Sequence, residues 1–237
     1  MSTKVIFWIG FFIAYVLQAI TGFAGGILSM PIGIFTIGVS NAFIVLNVCG
    51  CLACGAIVLM NLKHIDWPEF WRIGIVTTIF LFVGIWIHSK LEFNLLIKIF
   101  GFVVLIIALQ KLLVKKQHEY PKWALFLFLV LGGLTQGMFV AGGPFIALYA
   151  LQTMKDKEKF RVTFSLILTF LYGVYAVIGI LNGDMTGEAM SITAGCIPLT
   201  ILAVILGQKI EKHMSQQFFL QLTYWLLLLI GIILLFK

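Results

Sequence analysis

The chain has 237 residues, of which 62% are hydrophobic and 11% charged, with a mean hydropathy of +1.11 and a formal charge of +7. That composition excludes a soluble globular domain. The Lys and Arg residues lie in short loops and form no patch suited to nucleic acid, so the positive excess reads as topology anchoring in a lipid bilayer.

Apolar runs of at least about 18 residues recur, the length needed to cross about 30 Å of hydrocarbon. The runs are continuous rather than alternating, which argues for helices and against a barrel. Lys4 followed by the apolar run 5–17 imitates a signal peptide, but the chain continues as membrane sequence, so a retained first helix is expected. This helix should cover 5–19, break at 21–26 and resume over 27–38. A span at 40–60 leads to a polar loop at 61–69. Spans at 70–87 and 95–113 follow, separated by a polar turn at 88–94, and 114–122 forms the central connection. The second half then repeats the first: apolar 123–135, a break at 136–143, a resumption over 144–154, a charged loop at 155–161, and spans at 162–181, 189–206 and 218–236.

The two breaks are the most informative stretches. In QAITGFAGGILSMP, Gly22, Gly25 and Gly26 cluster ahead of Pro31. Each glycine costs a helix about 1 kcal/mol and a proline about 3, and a bilayer tolerates broken helix only where protein or a water-filled cavity satisfies the freed backbone. The device recurs in QGMFVAGGP, with Ala24-Gly25-Gly26 and Ala141-Gly142-Gly143 lying 117 residues apart. Asn61 and Asn182 lie 121 apart, as do Gly74 and Gly195, while Gly84 and Gly207 lie 123 apart. The expected fold is an all-α polytopic integral membrane protein. It is one transmembrane domain over 1–237, built from internal repeats 1–120 and 121–237, each a glycine-broken helical hairpin plus three transmembrane helices.

Segment length leaves two options for each broken element, one crossing or a hairpin that returns to the side it entered from. If each crosses once, Lys and Arg divide 8 against 8 between the two sides; if each is a hairpin they divide 12 against 4, the poorer side holding only Lys4, Lys90, Lys98 and Lys237. The positive-inside rule prefers the hairpins. The repeats are then inverted, with both termini outside, the first glycine tip dipping in from outside and the second from the cytoplasm.

Pro144 sits at a preferred first helical position after Gly142-Gly143. The free amides and positive dipole end of the helix it opens suit an anion, and Ile27 onward should present a second such start. Candidate substrate-binding residues are therefore Gln18, Thr21, Gly25, Gly26, Ser29, Gln136, Gly142 and Gly143. Thr135 lies near the second tip, and Asn47 and Ser165, in the spans after each hairpin, are further substrate-binding candidates that would line the same cavity. The competing reading is that the glycines permit close helix packing and the polar residues make ordinary interhelical hydrogen bonds. Arg161, at the start of a span, reads by default as an interfacial anchor, with a gate counter-charge as the alternative.

Every Asp, Glu and His falls in or next to a loop, including Glu211, so proton relays, cation sites and intramembrane hydrolysis lose ground. Cys49, Cys51, Cys54 and Cys196 fall inside helices, where small soft residues serve packing; no metal or cofactor is expected and no catalytic constellation appears. An inside-negative potential drives an anion outward with about 2.3 kcal/mol per charge per 100 mV, so export of a small sulfonate, sulfite or carboxylate fits better than uptake.

These residues resemble the sulfite exporter TauE/SafE family of bacterial and archaeal inner-membrane transporters. The resemblance is carried by the Gly22–Pro31 segment and by AGGPFIALYAL at Ala141–Leu151. It continues through KEKFRVT at Lys157–Thr163 and LGQKIEKHMSQQFF at Leu206–Phe219. Ala24 stands where a third consecutive glycine is common in the family. The resemblance implies a multi-pass protein of the cytoplasmic membrane that exports small sulfur-containing anions such as sulfite, sulfoacetate or other organosulfonates by alternating access. An importer or exporter of another small anion or metabolite, and a non-transport membrane enzyme or assembly factor, are the rival readings. The expected partners are a small-molecule anion and the bilayer, and a homodimer is left open.

Overall fold

The computed structural model describes residues 3–88, 102, 105, 109, 120–139 and 142–235, and among them every regular element is a helix. In chain order these are α1 (Thr3–Thr21), α2 (Ala24–Ile37), α3 (Val39–Met60), a 3-10 turn at Leu62–His64 and α4 (Trp67–His88). They are followed by α5 (Lys122–Phe139), α6 (Gly143–Thr153), α7 (Lys157–Leu181), α8 (Gly187–Lys212) and α9 (Gln216–Leu235). Five of them, α3, α4, α7, α8 and α9, are long and apolar enough to cross a membrane. The span expected at 95–113 lies almost wholly outside the described residues. The chain is an all-α, multi-pass membrane protein.

The helices gather into two compact units. One comprises Met1–Phe70 with Arg161–His213, and the other Trp71–Phe160 with Met214–Lys237. Each therefore draws on both halves of the sequence.

In the first unit α1 and α2 form an antiparallel hairpin. A Cβ on Gly10, early in α1, would press on the Ile32 side chain late in α2, and one on Gly33 would come within 3.6 Å of the Phe7 ring. The inner face of α1 is a stripe with one residue every four: Phe7, Phe11, Tyr15 and Ala19 are all buried, while Ile9 and Ile13 on other faces are exposed, as lipid-facing residues should be. Phe11 stacks on Tyr15 at 4.0 Å between centroids, and the Tyr15 hydroxyl donates to the Leu46 carbonyl at 3.0 Å. The stripe joins one core with Val45, Cys49 and Ala53 of α3 and Ala189, Cys196 and Ala203 of α8.

In the second unit α5 and α6 make the other hairpin. It is closed near its open end by the Tyr120 amide, which donates to Gln152 Oε1 at 3.0 Å, and near its tip by Gly132, whose missing Cβ makes room for Ile146. Helix α5 packs on α4 backbone to backbone: a Cβ on either Gly84 or Gly137 would stand 2.9 Å from the Cα of the other. Small residues give this close approach in apolar surroundings. Gly207 of α8 approaches Ala19 and the Val16 carbonyl of α1 in the same manner within the first unit. Gly84 and Gly207 lie 123 residues apart and Ala19 and Gly137 lie 118 apart, close to the spacing expected of the two sequence repeats.

The element boundaries differ from expectation in instructive ways. Only Gly22 and Phe23 leave the helix at the first break; Gly25 and Gly26 belong to the first turn of α2, which continues through Pro31. Gly22 has φ +89°, a backbone conformation open mainly to glycine, so one residue makes the turn. Helix α5 runs past Thr135 to Phe139, because Gly133 and Gly137 pack against α4 instead of breaking the chain. The charged stretch 155–161 is mostly helix. Asp156 caps it, its Oδ1 accepting from the Glu158 and Lys159 amides at 2.9 and 2.8 Å.

Candidate functional site

At the first break α1 ends and α2 begins without a capping side chain, since Phe23 occupies the cap position. The first amides of α2 therefore lack intrahelical partners, and its positive dipole end faces the turn. Gln18, one turn before Gly22, is fully buried. Its Nε2 donates to Cys54 Sγ at 3.0 Å, and a Cβ added to Gly25 would collide with the same amide, so Gln18 lies directly against the start of α2. Its Oε1 has no hydrogen-bond partner among the described residues.

Helix α7 closes the other side of this turn. A Cβ on Gly22 would come within 3.0 Å of the Arg161 carbonyl and 3.3 Å of Ser165 Oγ, and that hydroxyl is buried with no hydrogen-bond partner among the described residues. Farther along α7, the Tyr172 hydroxyl lies 2.7 Å from where a Cβ of Gly26 would be. Gln18, Gly22, Gly25, Gly26, Ser165 and Tyr172 thus surround one buried turn.

The guanidinium of Arg161 is 2% exposed. Its Nη1 donates to the Ala19 carbonyl at 3.2 Å, in the last turn of α1, and its Nη2 pairs with Glu211 Oε2 at 3.1 Å. A cation at a helix C-terminus is favourably placed. The carboxylate neutralises it, so the first break is held by a buried ion pair of zero net charge. Arg161 is therefore no interfacial anchor, and Glu211, expected beside a loop, is completely buried in the last turn of α8.

The second break is built differently. Gln136 Oε1 accepts from the Gly142 amide at 2.9 Å, so the side chain ties α5 to the residue that precedes α6, while its Nε2 has no partner among the described residues; residues 140 and 141 of the expected break lie outside the described residues. Gly142, at φ −73°, has ordinary helical backbone; the glycine is needed because a Cβ would strike the Gly132 carbonyl and the Gln136 backbone. Helix α6 starts at Gly143 with Pro144 in its first turn, as expected.

The remaining candidates are quieter. The hydroxyls of Thr21, Ser29 and Thr135 donate to carbonyls of their own helices, Leu17, Gly25 and Leu131, at 2.8, 2.7 and 2.6 Å. Asn47 donates to the Phe43 carbonyl at 2.8 Å and leaves Oδ1 without a partner among the described residues. It lies seven residues along α3 from Cys54, about two helical turns. Gln18, Ser165 and Arg161 come together at the first break, whereas Gln136, Gly142 and Gly143 belong to the other unit.

A family model described as sulfite exporter TauE/SafE matches residues 6–234. The chain belongs to this family. No curated protein and no solved structure gives a match. TauE/SafE proteins are membrane transporters, and the apolar spans and paired hairpins are an architecture of that class.

Reading the sequence for isolated motifs missed Glu211, Tyr172 and the partnership of Cys54 with Gln18. Periodicity carried the first two. Ala203, Gly207 and Glu211 recur at four-residue steps on the buried face of α8; Arg161, Ser165, Leu168 and Tyr172 do so on α7 at steps of four, three and four. Cys54 had no such signal, because one buried thiol among several apolar residues looks like packing.

Proposed function

We propose that this TauE/SafE protein moves a small sulfur-containing anion, such as sulfite, sulfoacetate or another organosulfonate, out of the cell across the cytoplasmic membrane, with the first glycine break as its binding site. One observation carries the reading: two fully buried side chains, Gln18 and Ser165, have unmet hydrogen-bonding capacity beside the uncapped start of α2. Leaving a buried polar group unmatched costs about 1–3 kcal/mol, so such groups call for a partner that arrives with the substrate or with water. The Gln18 amide suits either sign. With its oxygen turned to the Cys54 thiol, which can donate, its NH2 group faces the turn and joins the Ser165 hydroxyl and the α2 amides as an anion donor. All of these donors are neutral, which favours an anion that must also leave.

In this reading Arg161 acts as a gate. It ties the end of α1 to Glu211 of α8, and release of that tie frees the break to open. Gln136, Gly142 and Gly143 form the corresponding element of the other unit, and Gln136 holds its shape. Two inverted repeats working by alternating access, each with a re-entrant hairpin, account for α2 and α6. At 14 and 11 residues, both are too short to cross about 30 Å at 1.5 Å per residue.

The test is efflux from proteoliposomes preloaded with sulfite, sulfoacetate, taurine, sulfate or simple carboxylates under an imposed potential. Potential-dependent efflux of a sulfur-containing anion, saturable and lost with Ser165→Leu, is the expected result. Efflux of carboxylates alone, or of none of the panel, would contradict the proposed substrate class.

A further inference from the structure

We propose that the basic end of the second unit carries a binding site for one anionic phospholipid. A cavity of about 450 Å³ opens there between the first turns of α4 and α5 and the last turn of α6. That volume falls within the range of about 300–1,000 Å³ typical of small-molecule sites. Arg72 and Lys122 line it together with Tyr149 and Thr153, and no described lining residue is acidic.

The neighbours of the two cations set the depth of the site. Trp71 and Trp123, each adjacent in sequence to one of them, are both exposed. Tryptophans in that position mark the headgroup level of a bilayer. Below this level the cavity wall is apolar: Val76 lies about one turn farther along α4 than Arg72, and Phe126 and Leu129 about one and two turns farther along α5 than Lys122. Phe126 is exposed, so the wall opens to the surroundings.

Cations at headgroup depth above an apolar trough match an amphiphile whose phosphate sits on Arg72 and Lys122 while its acyl chain follows Val76, Phe126 and Leu129. A small soluble anion would leave the trough uncovered. A zwitterionic headgroup would bring its own cation to a site that already holds two, which selects a lipid with net negative charge. In the hairpin topology proposed above, this end also lies on the side that collects 12 of the 16 Lys and Arg residues, the side that faces the anionic leaflet.

The test uses the full chain purified in detergent and native mass spectrometry with phosphatidylglycerol or phosphatidylcholine added. The expected result is a phosphatidylglycerol adduct that phosphatidylcholine does not replace and that weakens about tenfold or more in the double variant Arg72→Gln/Lys122→Gln. Arg72→Lys, which keeps the charge, should retain it. Equal binding of both lipids by the unaltered chain would overturn the proposal, whether or not the double variant folds. So would an undiminished adduct in a folded double variant, or displacement by soluble glycerol 3-phosphate at concentrations similar to those of the lipid.

Discussion

The two glycine breaks are written in nearly the same letters and are wired in opposite ways. In both, a glutamine packs on the middle position of the Ala-Gly-Gly tripeptide, Gln18 on Gly25 and Gln136 on Gly142. At the second break that glutamine spends its oxygen on the Gly142 amide, just before α6. At the first it is turned to Cys54, the turn is made by the φ +89° of Gly22, and the α2 start stays open between Gln18 and Ser165. Only the first break has a buried ion pair beside it among the described residues. Similar glycine motifs thus take different side-chain partners at the two breaks.

The largest expected effect breaks the comparison at its charged member. Arg161→Gln leaves Glu211 buried without its guanidinium and should lower stability by about 3–5 kcal/mol, read as a large fall in thermal unfolding temperature in detergent. The double variant Arg161→Gln/Glu211→Gln should recover most of that loss. In the double variant, half-saturation for the transported anion should stay within about threefold of the unaltered value while the maximal rate changes, since 1.4 kcal/mol corresponds to tenfold. A double variant as unstable as the single one would show that the pair is not what holds the break.

Gln136→Leu probes the second break. It leaves the Gly142 amide buried and unmatched and should cost about 1–3 kcal/mol of stability. Gln18→Leu, by contrast, removes an unmet group and should stay within about 1 kcal/mol of the unaltered protein. Equal losses in the two variants would erase the distinction between the breaks. Gly22→Ala should cost about 1–2 kcal/mol through its left-handed backbone alone, with the added Cβ pressing on the Arg161 carbonyl. A stability unchanged by that substitution would mean that the turn does not depend on the conformation of Gly22. Ser165→Ala is the smallest change: stability within about 0.5 kcal/mol of the original, together with weaker anion binding measured by calorimetry.

Much of this arrangement was legible in the sequence, for a physical reason. Apolar length and the helix cost of glycine and proline are local properties, so both hairpins and the position of Pro144 could be read from residue order. Gln18, Asn47, Gln136 and Ser165, singled out as polar residues in apolar helices, are the uncharged side chains left with buried hydrogen-bonding atoms unmet among the described residues. What could not be read depends on partners distant in sequence. Arg161 and Glu211 each sit near a helix end, where a charge is ordinarily solvated, and only their pairing permits both to be buried. The extension of α5 through Gly137 likewise depends on Gly84, far back in the chain.

The central claim is that the first break, and not the second, holds the anion. The most direct test is the half-saturation concentration for sulfite or sulfoacetate efflux from proteoliposomes containing Gln18→Leu or Gln136→Leu protein at matched folded content. The expected result is a rise of about tenfold for Gln18→Leu, one lost hydrogen bond to a charged ligand, and a value within about threefold of the original for Gln136→Leu. An unchanged value for Gln18→Leu, or a larger rise for Gln136→Leu, would contradict it.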